Sequence, residues 1–160
     1  MKKLIILIVL TCLSATVAIA QDDEHLYSTG RLMEIDRCAS AWLIKRYIDK
    51  KAQFAFFDDG ELIARGTAFD TPDARFCRTH SMSTFEILMR HYNISDPALK
   101  TLAGAIHDIE INYWSGKKDS ALASELMNNI KTIIRANPDP ALCLQISFAY
   151  FDQLLKQPHD

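Results

Sequence analysis

The chain has 160 residues, 49% of them hydrophobic, and a formal net charge of −2. That length is enough for one domain with one core. No basic block or stripe stands out, which argues against nucleic acid as a partner.

Residues 1 to about 20 have the three parts of a cleavable secretory signal. Met1, Lys2 and Lys3 give a positive start, and Leu4 to Leu13 is an apolar stretch interrupted by Thr11 and Cys12. Ala18-Ile19-Ala20 then places small residues ahead of the polar Gln21-Asp22-Asp23-Glu24. A transmembrane anchor would need about 20 apolar residues and a charged stop-transfer flank, whereas this core is short and its flank acidic. A lipoprotein signal would use Cys12 as lipid acceptor, and Thr11 before it fits that poorly. The expected mature protein starts near Gln21, is soluble in the periplasm and carries no membrane span. Its 16 basic residues face 20 acidic ones once Lys2 and Lys3 are gone, a net charge of −4.

The mature cysteines are Cys38, Cys77 and Cys143, at spacings of 39 and 66 residues that match neither a zinc knuckle nor a CxxC pair. An odd number in an oxidising compartment leaves at least one free thiol, or an intermolecular bridge. Cys38 and Cys143 lie in helical apolar patterns and read as buried, inert thiols. Cys77 lies between Arg75 and Arg78, whose charges would favour its thiolate.

Taken in chain order, Gln21 to Gly30 is a polar lead-in. Asp36 to Ile48 reads as a helix, because Ile35, Cys38, Ala39, Trp42 and Arg46 form one stripe at spacings of three and four. Gln53 to Asp58 reads as a short buried strand ended by Asp59-Gly60, and a second strand is expected at Thr67 to Asp70. Ser83-Thr84-Phe85-Glu86 is a capping box that opens a helix to about Tyr92. Asp96-Pro97 supplies an N-cap and first-turn proline for a helix to about Trp114, with Leu99, Leu102, Ile106, Ile109 and Tyr113 as its stripe and Ser115-Gly116 as its stop. Two more helices are expected near Asp119 to Ala136 and Asp139 to Lys156, split by Asn137-Pro138. The expected fold is α+β and mostly α-helical: about five helices with a small β-sheet near the N-terminal part, in a single domain over residues 31–156.

The segment Asp36-Arg37-Cys38-Ala39-Ser40-Ala41-Trp42-Leu43-Ile44-Lys45-Arg46-Tyr47-Ile48-Asp49 resembles the opening of the chromate-resistance exported protein family. That family is also the C-terminal part of larger chromate-responsive regulators. The likeness continues through Phe69-Asp70, Thr84-Phe85-Glu86 and His107-Asp108, and covers roughly residues 31–155. It implies a role in chromate resistance or sensing, a stress response. Members of the family often carry a cysteine just before the Thr-Phe-Glu, where this chain has Ser83, so no thiol chemistry is expected at that position.

Two sets of residues carry chemistry. Arg37 falls in the first turn of its helix, where the macrodipole disfavours a cation unless it meets an acid or an oxyanion. Arg46 shares the Trp42 stripe and needs a partner, which Asp70 or Glu86 would provide. The plain reading is a set of structural ion pairs with Asp36 as an N-cap; the functional reading makes Arg37 and Arg46 an anion-binding pair. The second set is His107, Asp108 and Glu110 on one helix, with Glu86 and His80 converging from upstream. His107 and Glu110 are three apart and so face the same side. Such a His/Glu/Asp set suits one divalent transition metal (zinc, iron or manganese) at an open site. Its plain counterpart has Glu86 as the capping-box acid and His107 as an imidazole bonded to a neighbouring carboxylate. His80, His107-Asp108 and Asp152 also follow the ligand order of metal-dependent HD phosphohydrolases, a fold to which a strand-bearing N-terminal third does not belong.

No GxSxG elbow, P-loop, GxGxxG or CxxCH is present. The expectation is therefore a periplasmic module that binds or senses a metal ion or a small oxyanion. The alternative is a metal-dependent enzyme, hydrolytic or redox, centred on His107.

Overall fold

The structure is a computed structural model that describes residues 23–112 and 120–156. The secretory signal expected over residues 1–20 lies outside the described residues. So do Tyr113, Trp114 and the helix stop expected at Ser115-Gly116.

The fold starts with strand β1 (Leu26–Gly30), followed by helix α1 (Ile35–Leu43) and a π-helical turn (Ile44–Ile48). Strand β2 (Gln53–Phe57) returns beside β1, and the short β3 (Thr67–Ala68) pairs with its other edge. The sheet is parallel throughout, in the order β2-β1-β3, with Leu26 opposite Gln53, Gly30 opposite Phe57 and Tyr27 opposite Thr67. Parallel neighbours need a crossover, and α1 with its π turn provides the one between β1 and β2. Helices α2 (Thr84–His91), α3 (Pro97–Glu110), α4 (Ala121–Ala136) and α5 (Pro140–Leu154) complete the chain. The expected α+β class, five helices with a small N-terminal sheet, is what the structure has.

The largest departure is β1. It falls within the stretch read as a polar lead-in, yet it is the central strand, and all five of its residues are buried. Leu26-Tyr27-Ser28-Thr29-Gly30 carries only two large apolar side chains, too few for a strand pattern. Strands on both edges satisfy its backbone, and the Ser28 hydroxyl donates to the Arg65 carbonyl at 2.7 Å. A small hydroxyl residue is tolerated in a core when its hydrogen bond is made, whereas the neighbouring Thr29 hydroxyl is buried with no hydrogen-bond partner among the described residues.

Helix starts follow the local signals. The capping box at Ser83 and Glu86 is formed in full, Asp96 accepts from the Ala98 and Leu99 N–H groups, Ser120 accepts from Ala123, and Asp139 from Leu142. The N-cap of α1, however, is Glu34, which leaves Asp36 inside the first turn. All nine residues of α1 are buried, so it is a central helix rather than a one-sided one, packed against α2, α3, α4 and α5. Its last turn widens to the π form, closed by the Asp49 N–H donating to the Ile44 carbonyl at 2.7 Å. Trp42 and Leu43 of α1 and Ile44 of the π turn meet Phe85, Ile106 and Phe151 in one continuous core. Among the described residues no helix is long and apolar enough to cross a membrane.

Candidate functional site

A charged cluster is buried where α1 begins. Asp36 Oδ2 accepts the Thr84 N–H at 2.6 Å, and Oδ1 accepts the Phe85 N–H at 2.9 Å and the Ser40 hydroxyl at 3.1 Å. Asp36 therefore caps α2 from a neighbouring helix, a different role from the N-cap of its own helix that the sequence suggested. Burial and then the Asp70 charge push its carboxyl up to about 8, against the pull of the Phe85 and Thr84 N–H groups.

Asp70 completes the cluster. Its Oδ1 accepts the Thr84 hydroxyl at 2.7 Å and its Oδ2 lies 3.2 Å from Arg37 Nε. Its carbonyl accepts from Arg37 Nη2, while Arg37 Nη1 donates to the Leu32 carbonyl. A Cβ on Gly30 would stand 3.2 Å from Arg37 Nη1, so a larger residue there would press the guanidinium back by a few tenths of an ångström. Arg37 thus meets the acid that a first-turn cation needs.

Arg46 does not share this cluster. Its partner is Asp152 on α5, not the Asp70 or Glu86 expected from sequence: Nε to Oδ1 is 3.0 Å and Nη2 to Oδ2 is 2.7 Å. The reason is distance. Asp70 is taken at the other end of α1, and nine helical residues span about 13 Å. Trp42 Nε1 donates to the same Oδ1 at 2.8 Å, and the Arg46 guanidinium stands 5.7 Å over the Phe148 ring. Arg46 holds the Asp152 carboxyl below its usual range.

The structure brings three of the candidate metal ligands to one cleft, two of them in contact, and separates the other two. His107 Nδ1 lies 3.0 Å from Oε2 and 3.1 Å from Oε1 of Glu86, whose Oε2 also accepts the Ser83 N–H at 2.8 Å. With Asp108 they line an open cleft of about 520 Å³ that Thr101 and Ser120 also border. Asp108 accepts from Asn112 Nδ2 at 3.1 Å. Glu110, expected on the same side as His107, enters a different cleft and binds Arg78 at 2.8 Å. Three positions along a helix still leave about 60° between side chains, enough at the rim of α3 to part them. His80 is exposed in the segment before α2. Among the described residues no three His, Cys, Asp or Glu side chains gather as a metal-ligand set.

The cleft that Glu110 enters was not visible in the sequence. It measures about 510 Å³ and carries Arg78, Lys131 and Arg135 with Glu34 and Glu110, over apolar walls that include Met33 and Ile109. Burial pushes the Glu110 carboxyl up, with Asp70 and Glu34 acting the same way, while Arg78 and the Asp36 N–H pull it down. Lys131 and Arg135 sit four apart on α4, one turn of the same face. Two basic residues at that spacing were the available signal, and nothing in one sequence says what lies opposite them.

Cys77 corrects another expectation. Its flanking arginines do not win, because burial and the Asp70 charge push the thiol up and only Arg78 pulls it down. Arg75 is spent over the Phe76 ring, 5.1 Å from its centroid.

The fold and these sites define a small α+β domain, with a buried charged cluster at the head of its central helix and two open charged clefts beside α3. Residues 27–157 match the family described as ChrB, C-terminal domain, and the chain belongs to that family, the chromate-resistance family that Asp36 to Asp49 resembles. It is similar to Protein ChrB of Cupriavidus metallidurans, 30% identical over 87 residues, which is 53% of this chain and 27% of that protein. The alignment thus spans about a quarter of that relative's length. No solved structure matches the chain.

Proposed function

We propose that the protein is an exported binding module of the chromate-resistance family that holds a small tetrahedral oxyanion of the chromate type. The observation that carries this is the cleft between α1, α3 and α4, where Arg78, Lys131 and Arg135 line one cavity. Its more enclosed acid, Glu110, is bound by Arg78 and its carboxyl is pushed up by burial, which weakens one of the two charges, with Glu34, that would repel an anion there. Arginine forks and an ammonium group match the oxygens of a tetrahedral dianion. Arg37 and Arg46 serve this reading as the groups that fix the two ends of α1. Export is supported by the three-part signal read at residues 1–20.

The test is calorimetric titration of the tag-free mature chain, Gln21 onward, with chromate and with sulfate at low salt. Lys131→Ala and Arg135→Ala should each weaken binding roughly tenfold to a hundredfold, the loss of one charge-assisted hydrogen bond. Arg46→Ala should leave it unchanged. No binding heat from the parent chain would sink the reading.

A second reading is supported by the Glu86–His107 contact and by Asp108 in the same cleft: one zinc, iron or manganese ion held there, with a metal-dependent enzyme as its consequence. Elemental analysis decides it. About one such metal per chain, lost in His107→Ala with helix content kept, would support it; a metal-free protein after reconstitution would remove it.

A further inference from the structure

Helix α5 is apolar nearly all round. Asp152 is the one charged residue between Pro140 and Leu154, and Arg46 of the π turn holds it. A helix with one side in water ordinarily keeps that side charged, as α4 does with Glu125, Lys131 and Arg135, all exposed. The outer face of α5 instead exposes Leu142 at 46% and Ile146 at 36%. Among the described residues it is the one helix with two large apolar side chains at its surface.

The outward residues keep a regular spacing. Asp139, Leu142, Ile146, Ala149, Gln153 and Lys156 lie three and four apart in turn, and all are exposed. Alternating steps of three and four are the 3.5-residue repeat of a helix–helix seam. The series has the same spacings read from either end. Two copies laid antiparallel about a twofold axis therefore set Ile146 on the partner subunit's Ala149, Leu142 on the partner subunit's Gln153 and Asp139 on the partner subunit's Lys156.

We propose that the protein forms a twofold dimer through this face of α5, the two helices packed antiparallel. A twofold interface sets one surface against itself, so a charge near the axis would face its like. The four central positions carry none, and each large apolar side chain meets a smaller or a flexible one. The opposite charges stand at the ends. Asp139 uses Oδ1 to accept the Leu142 N–H at 2.8 Å, and its Oδ2 has no hydrogen bond among the described residues. Beside the seam a groove of about 340 Å³, walled by Phe54, Phe56, Leu144 and Phe148, carries the apolar surface on to the edge strand β2. The seam is roughly 25 Å long, a small interface, so monomer and dimer exchange at micromolar concentrations.

Sedimentation equilibrium of the tag-free chain from Gln21 onward, at roughly 1 to 100 µM, should show monomer passing to dimer. Ile146→Glu should stay monomeric throughout with its helix content and Tm kept, because the side chain it replaces lies at the surface. Lys156→Glu sets like charges at both ends and should raise the dimer dissociation constant roughly tenfold at low salt, an effect screened near about 1 M salt. The register is read by cross-linking with copper phenanthroline in a Cys77→Ser background. Ile146→Cys mixed with Ala149→Cys should give a disulfide-linked dimer faster than either variant alone. A parent that stays monomeric at roughly 100 µM would overturn the dimer and leave the face to a different protein. A dimer that survives Ile146→Glu, or cross-links no faster in the mixture, would overturn the antiparallel seam.

Discussion

Asp70 holds its backbone at φ 50°, in the left-handed region that few residues other than glycine adopt. That conformation costs about 1–2 kcal/mol, and the contacts it makes possible offset it. From there the Asp70 carbonyl takes one nitrogen of Arg37, the carboxylate stands against another, and the remaining oxygen takes the Thr84 hydroxyl. Removing the acid strands a buried cation. Asp70→Ala is expected to destabilise the fold by about 3–5 kcal/mol, measured by urea unfolding, and Asp70→Asn by less because the Thr84 bond survives. Arg37→Met in the Asp70→Asn background should cost less than the two single changes added together, since no charge is then left unpaired. The sequence placed an acid of the Phe69-Asp70 motif near an arginine of α1. The expected partner was Arg46, which shares the Trp42 stripe, whereas the structure gives Asp70 to Arg37, because only the position of Asp70 in space chooses between them.

At the scale of elements, the start of α2 is held twice, by its own Ser83 and by Asp36 reaching across from α1. The first is local and was legible as a capping box; the second joins residues 48 and 49 positions apart and had no local signature. Asp36 makes a pH prediction with a definite sign. Its carboxyl is near 8 in the folded protein and about 4 when unfolded, so the folded state keeps a proton that the unfolded state releases. Its contribution to stability is complete below about pH 4 and is lost as pH rises through about 8. The urea midpoint should therefore fall between pH 5 and pH 9, with Glu110, also pushed up, adding in the same direction. Asp36→Asn should flatten the slope by its share. It should also cost about 1–3 kcal/mol at pH 5, where one N–H of α2 loses its acceptor. A slope unchanged by that substitution would place the titration elsewhere. Element starts at Pro97 and Pro140 were legible for the same reason as the capping box, while β1 was not, since a five-residue strand with two apolar side chains shows its identity only when flanked by β2 and β3.

At the scale of the whole molecule, α1 is the helix on which α2, α3, α4 and α5 pack, and the last helix closes it. Asp152 of α5 receives both Trp42 and Arg46 of α1, a clasp between residues 110 and 106 positions apart. Its two halves should differ in weight. Asp152→Ala leaves the Trp42 N–H without its acceptor and should cost about 1–3 kcal/mol. Arg46→Ala removes a half-exposed ion pair and should cost at most about 1 kcal/mol. Because Arg46 holds the Asp152 carboxyl low, the stability this pair adds is present above about pH 4 and disappears as pH falls through the folded value. Thermal unfolding of parent and Arg46→Ala should therefore differ at pH 7 and coincide near pH 2.

What the sequence determined by itself was whatever neighbouring residues decide between them. Helix starts at Ser83 and Asp96 came from side chains bonding backbone two or three residues away, and the strand read at Gln53 to Asp58 came from an apolar run. The likeness of Asp36 to Asp49 to a known family came from residue order. What only the tertiary structure decided was every pairing across the fold: Arg37 with Asp70, Arg46 with Asp152, and Glu110 with Arg78 in place of His107. The physical reason is the same each time. A single sequence reports which groups must be satisfied when buried, because that cost belongs to the residue, but the partner that satisfies them is set by which elements the core brings within 3 Å.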